Sequence, residues 1–190
     1  MTTITVVKKG GIAAIAADTL TKWGAGKESA KYIANSEKIT KIGSNYVAVT
    51  GNATFKLILR DYFLEQGNDC RLSNPVEIFQ TWNRLHQALK EKYFLMPEED
   101  KEDALESTRM DVLIVNAHGI FGVSGHRTVQ EFSRFYAYGS GSDYALGALW
   151  ADYDRRGMSA SRIARRAIEA AAEFDDGTGL PAQTFTVRLR

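Results

Sequence analysis

The chain has 190 residues, 24 Lys+Arg against 23 Asp+Glu, and is 44% hydrophobic, 25% charged and 11% aromatic. That composition is globular and close to one domain's length, which excludes disorder, and a net charge of +1 gives no electrostatic argument for nucleic acid or an anionic membrane. There is no apolar run near the about 20 residues of a membrane helix, no secretory apolar segment opens the chain, and the single Cys70 cannot close an internal disulfide. The sequence therefore reads as one cytoplasmic domain over 1–190, with no nucleic acid and no membrane as partner.

Residues 3–7 and 12–17 alternate like strands, and Lys8-Lys9-Gly10-Gly11 between them makes a hairpin. Residues 19–36 are polar and Gly-containing, and read as an excursion over the surface. A second hairpin pairs 38–42 with 46–49 across Gly43-Ser44-Asn45, whose residue types tolerate left-handed backbone angles. From Asn52, a plausible N-cap, the period becomes helical: Phe55, Ile58, Leu59, Tyr62 and Phe63 share a stripe and Gly67 stops it. A second helix opens at Asn74-Pro75 and carries Ile78, Phe79, Trp82, Leu85, His86 and Leu89.

Residues 97–110 form a charged connection with five acidic side chains within 98–103. Strands return at 111–115, 120–123 and 135–138, and Gly139-Ser140-Gly141-Ser142 breaks the last. A third helix spans 143–156, stopped by Gly157, and a fourth starts at the Ser159 cap with Ile163, Ala167, Ile168 and Ala171 on one side. Residues 183–190 alternate as a final strand. Hairpins grouped apart from helix pairs point to antiparallel sheets with helices on their outer faces, an α+β layered sandwich and not a parallel βαβ array.

Four features could carry chemistry. Thr2 follows Met1 directly, and removal of Met1 would leave a free N-terminal threonine, in which a hydroxyl nucleophile and an α-amine titrating near ~7.7 to 8.0 belong to one residue. Asp18 ends an apolar strand, where a carboxylate is costly without a partner, and Lys38 at the start of the next hairpin is the natural one. Tyr138-Gly139-Ser140-Gly141 is a tight elbow without the third Gly of a dinucleotide fingerprint or the Lys of a phosphate loop. Phe174-Asp175-Asp176-Gly177-Thr178-Gly179 follows the alanine-rich helix. Each alone has an ordinary explanation: a plain N-terminus, a solvated ion pair, a turn, an acidic helix end.

Together and in this order they resemble the proteasome β-type subunits, including the bacterial HslUV-type peptidase, and are most similar to the beta-proteobacterial proteasome homologue group. The resemblance spans almost the whole chain. It implies a four-layer αββα sandwich of the N-terminal nucleophile (Ntn) hydrolase type. It implies Thr2 as nucleophile and, through its amine, general base, with Lys38 tuning that amine and Asp18 orienting Lys38. Ser140, Asp175 and Thr178 would hold the amine by hydrogen bonds, Gly51 would offer its backbone N–H to the oxyanion, and Val49 would line a pocket for an apolar, medium-sized side chain. No cofactor and no metal are implied.

The implied activity is that of a threonine-type endopeptidase acting on unfolded polypeptides inside stacked homo-oligomeric rings, hexameric or heptameric, with an ATP-driven unfoldase as a candidate partner. The alternatives are a ring that lacks peptidase activity and serves as a compartment or scaffold, and a small-molecule amidase with an open site. The chain departs from the family in Thr178, where Ser is common, in Phe174, where a basic residue is common, and in a longer 19–36 segment. No propeptide beyond Met1 is expected. Arg155, Arg156, Arg162, Arg165 and Arg166 pair poorly among themselves and suggest either a solvated face or an interface with the acidic 98–103 of a neighbour. His118 and His126 read as turn or surface histidines.

Overall fold

Side-chain alternation gives β1 (Thr3–Lys9) and β2 (Ile12–Ala17) two different apolar faces. In the computed structural model, which describes residues 2–67, 70–96 and 104–190, the two strands run antiparallel around Gly10-Gly11 with Ile4 opposite Ala17. The hairpin is central in a four-stranded sheet: β10 (Phe135–Gly139) flanks β1 and β11 (Gln183–Arg188) flanks β2. A five-stranded antiparallel sheet holds, in order, β5 (Ile39–Ile42), β6 (Asn45–Val49), β7 (Val112–Asn116), β8 (Gly119–Val123) and β9 (Val129–Phe132).

The alternation sorts the core into three layers. Ile4, Val6, Ala13, Ile15 and Ala17 meet Ala48, Leu113, Val115 and Ile120 between the two sheets. Val47, Val49, Val112 and Ile114 face the other way, onto α1 (Phe55–Gln66) and α2 (Pro75–Glu91), through Leu59, Phe63, Trp82 and Leu85. Val7, Ala14 and Ala16 lie under α3 (Ser142–Tyr153) and α4 (Ala160–Phe174). The result is the expected four-layer αββα sandwich, each sheet burying both faces.

The caps at Asn74 and Ser159 are as expected: Asn74 accepts from the Glu77 N–H, with Pro75 at the first turn, and Ser159 accepts from the Arg162 N–H. Other expectations are corrected. Asn52 does not cap α1; its side chain accepts from the Thr54 N–H in a turn of its own, and the helix starts at Phe55 after Thr54. α3 ends at Tyr153 rather than 156, because the chain leaves it through tight turns in which the Arg155 N–H meets the Asp152 carbonyl. Phe79 is half-exposed and not part of the α2 core stripe.

The 19–36 segment carries a small hairpin, β3 (Thr21–Trp23) with β4 (Gly26–Glu28), and Leu20 within it is buried. β9 is likewise an element that the sequence pattern does not predict. The arginines are better paired than expected: Arg166 and Arg155 meet Asp152, at 2.7 and 3.6 Å, and Arg165 meets Glu169 at 3.0 Å. The acidic run 98–103 and Met1 lie outside the described residues. Among the described residues, no helix is long and apolar enough to cross a membrane.

Candidate active site

Strand register builds the site. With a two-residue turn at Gly10-Gly11, Ile4 pairs with Ala17, so the residues just beyond the hairpin's open end, Thr3 and Asp18, come together. The Thr3 N–H donates to Asp18 Oδ1 at 3.0 Å. On the other side of β1, Thr3 pairs with Gly139, and the next residue's N–H, that of Ser140, donates to the Thr2 carbonyl at 3.0 Å. In the second sheet Ile39 pairs with Ala48, which sets Lys38 beside the end of β6 at Val49. Both hairpins thus end at the same place, and Thr2, Lys38, Val49 and Gly51 line one cavity of about 200 Å³.

Asp18 is completely buried, and its carboxylate is fully subscribed. Oδ1 accepts from Lys38 Nζ at 2.8 Å as well as from Thr3, and Oδ2 accepts from the Leu20 and Gly179 N–H groups, each at 3.1 Å. Four donors match the four lone-pair sites of a carboxylate, the condition for burying one at all. Lys38 also donates to the Leu20 carbonyl at 2.5 Å. Burial pushes Lys38 below the usual lysine value, against the pull of Asp18, and Lys56 adds to the lowering. The same desolvation pushes the Asp18 carboxyl up, opposed by Lys38 and by backbone N–H groups.

A second network lies on the opposite side of Thr2. Asp175 Oδ2 accepts from Ser140 Oγ at 2.7 Å and from Thr178 Oγ1 at 2.6 Å. Because the one hydroxyl proton of Thr178 is given to Asp175, the 2.5 Å contact between Thr3 and Thr178 has Thr3 as donor. Thr3 Oγ1 in turn accepts from the Gly141 N–H at 3.1 Å. A directed chain of donors therefore runs from the Gly-Ser-Gly elbow through Thr3 and Thr178 to Asp175. Ser140, Asp175 and Thr178, expected to hold the Thr2 amine, are joined to one another, and their hydrogen bonds reach the Thr2 carbonyl and the Thr3 hydroxyl.

Two glycines are dictated by close approach. At Gly139, φ is +107° and a Cβ would lie 1.8 Å from the Thr2 carbonyl oxygen. At Gly51, φ is +109° and a Cβ would lie 2.7 Å from the Arg109 carbonyl oxygen and 3.1 Å from the Phe55 ring.

Several residues escape a reading of the sequence. Thr3 is fully buried on the β1 face that packs under α4, and a hydroxyl at such a position signals a hydrogen-bonding duty. Thr21, Lys22 and Trp23, from the segment expected on the surface, line the cavity, as does Lys56. Lys56 stands in the first turn of α1, where the helix dipole disfavours a cation, a signal the sequence carries.

The chain is 59% identical to Thiobacillus denitrificans BPH, covering 99% of this chain and 98% of that one with a TM-score of 0.95. It is similarly close to Thiobacillus denitrificans BPH in complex with epoxomicin, with 58% identity, 99% of both chains covered and a TM-score of 0.93. It is 29% identical over 179 residues to the ATP-dependent protease subunit HslV of Bartonella quintana, covering 91% of this chain and 82% of the relative. No family model matches the chain.

Proposed function

Since the chain belongs to the family of proteasome β-type subunits and HslV peptidases, we propose that it is a threonine-type endopeptidase with Thr2 as its nucleophile. The observation that carries this reading is that Thr2 and Lys38, the latter paired with buried Asp18, line one cavity, while the Asp175–Ser140–Thr178 network reaches the Thr2 carbonyl and the Thr3 hydroxyl. Once everything ahead of Thr2 is removed, its α-amine is free and close to neutral-pH titration.

In this reading the amine takes the proton from Thr2 Oγ as the oxygen attacks the substrate carbonyl. The oxyanion that develops is met by the Gly51 N–H, a fixed dipole that costs no reorganisation. Collapse expels the amine half of the substrate, which leaves with the proton, and a threonyl ester remains. Water, activated by the same amine, hydrolyses the ester and restores the hydroxyl. Lys38 keeps positive charge beside the amine and favours its unprotonated form, Asp18 fixes Lys38, and Ser140, Asp175 and Thr178 hold the Thr2 carbonyl and the Thr3 hydroxyl.

The substrates are unfolded polypeptides, and the chain works as a single proteasome-like domain repeated in stacked homo-oligomeric rings in the cytoplasm. HslV is an ATP-dependent protease subunit, which supports an ATP-driven unfoldase as the partner of this chain as well. The test is intact-mass measurement after incubation with epoxomicin, the compound present in the BPH complex. One adduct per chain lacking Met1, absent from Thr2→Ala, is expected. A Met1-free chain that stays unmodified would overturn the peptidase reading in favour of an inert ring.

A further inference from the structure

The walls of the cavity beside Thr2 are of two kinds. Val49, Ala53 and Trp23 supply apolar surface, while Lys22, Lys38 and Lys56 supply three cations, and among the described residues no acidic side chain lines it. Two of these charges are already answered: Lys38 by Asp18 at 2.8 Å, and Lys22 by Asp176. Lys56 differs. The resolved partner of its ammonium is the backbone carbonyl of Asn35, a neutral group that uses one of three N–H donors.

Two further facts raise the potential there. Lys56 belongs to the first turn of α1, and neither that turn nor its cap carries an acidic side chain, so the positive end of the helix adds to the ammonium. The charge of Lys56 is also felt inside the site, since it contributes to the lowering of Lys38. A cation held in a concave, partly enclosed site is screened less by salt than one on an open face.

We infer that Lys56 is a specificity-determining residue, selecting a carboxylate-bearing side chain on the substrate residue that enters the cavity beside Thr2. The inference rests on the peptidase reading and names the substrate class for that same site. Val49, Ala53 and Trp23 receive the methylene part of the side chain, and Lys56 receives its charge. The purely apolar preference expected from Val49 alone is thereby revised, because the structure adds charged walls that one pocket residue could not disclose. A basic side chain at this position meets a cation without an acidic counterpart and is rejected, which supplies discrimination by repulsion as well as by attraction.

The experiment uses three peptide epoxyketones identical except for the side chain next to the warhead: glutamate, leucine or lysine. Rates of adduct formation are read by intact mass on the whole particle for the native protein, Lys56→Gln and Lys56→Glu. The native protein is expected to react at least about tenfold faster with the glutamate probe than with the lysine probe. Lys56→Gln should lose that preference and Lys56→Glu should reverse it; should the reversed charge prevent folding, the Gln variant decides the question through the same ratio. An order of probe rates that is the same in the native protein and the variants overturns the inference while leaving the peptidase reading intact. If no probe reacts with the native protein, the peptidase reading itself falls, and the inference with it.

Discussion

At the scale of single residues, Asp18 governs the site. Its carboxylate accepts four hydrogen bonds with no exposure to solvent, and it ties β1, Leu20, Gly179 and Lys38 together. An asparagine in its place has one acceptor oxygen and brings two donors into a shell made of donors. Asp18→Asn should therefore cost about 3 kcal/mol or more of stability, the range for removing one member of a buried ion pair, and should slow adduct formation at Thr2. Urea unfolding checks the first claim; an unchanged midpoint would contradict it. The pairing of Asp18 with Lys38 is legible in the sequence because a buried carboxylate must have a partner, and Thr2 stands out because it follows Met1 directly. Thr3 is not, because nothing local in the chain says that its hydroxyl meets Thr178, 175 residues away.

At the scale of elements, the approach of β10 to β1 leaves no room beyond hydrogen at Gly139. A methyl group there would overlap the Thr2 carbonyl at 1.8 Å, in a backbone conformation that L side chains rarely adopt. Gly139→Ala should move Thr2 off its position and reduce the rate of epoxyketone modification by about a hundredfold, as expected for a nucleophile displaced by about 1 Å. Circular dichroism should show the secondary structure retained; a native modification rate would refute the argument. Long strands with strict alternation and helices with clear caps are legible. The pair β3–β4 and the strand β9 are not, because strands of three or four partly polar residues show too little period to stand out; β3 and β4 pair only with each other, and β9 pairs with β8 at the edge of its sheet. The start of α1 is misplaced from sequence because Asn52 is equally suited to a cap and to a turn, and the fold uses it for the turn.

At the scale of the whole molecule, both helical layers leave large apolar side chains in the open. Leu57 and Leu64 of α1 are 52% and 74% exposed, Trp150 of α3 is 79% exposed, and Tyr144 packs at a tilt against Phe174, which is 68% exposed. Such surface on both outer layers supports the proposed assembly, in which copies of the chain cover one another's helices. Light scattering coupled to gel filtration should find a particle many times the mass of one chain. A monomer would refute the ring, and with it the idea that enclosure selects unfolded substrates.

The sequence by itself determined the period of each long element, the layers to which their faces belong and the residue types of the site, because alternation, capping and the cost of burying charge all act locally. Only the tertiary structure decided which walls surround Thr2. Lys22 and Trp23 from a small polar hairpin, Lys56 from a helix start and Val49 from a strand end come from distant parts of the chain. Their meeting depends on how the ends of two stacked hairpins coincide, a matter of register and sheet packing that no stretch of sequence encodes alone.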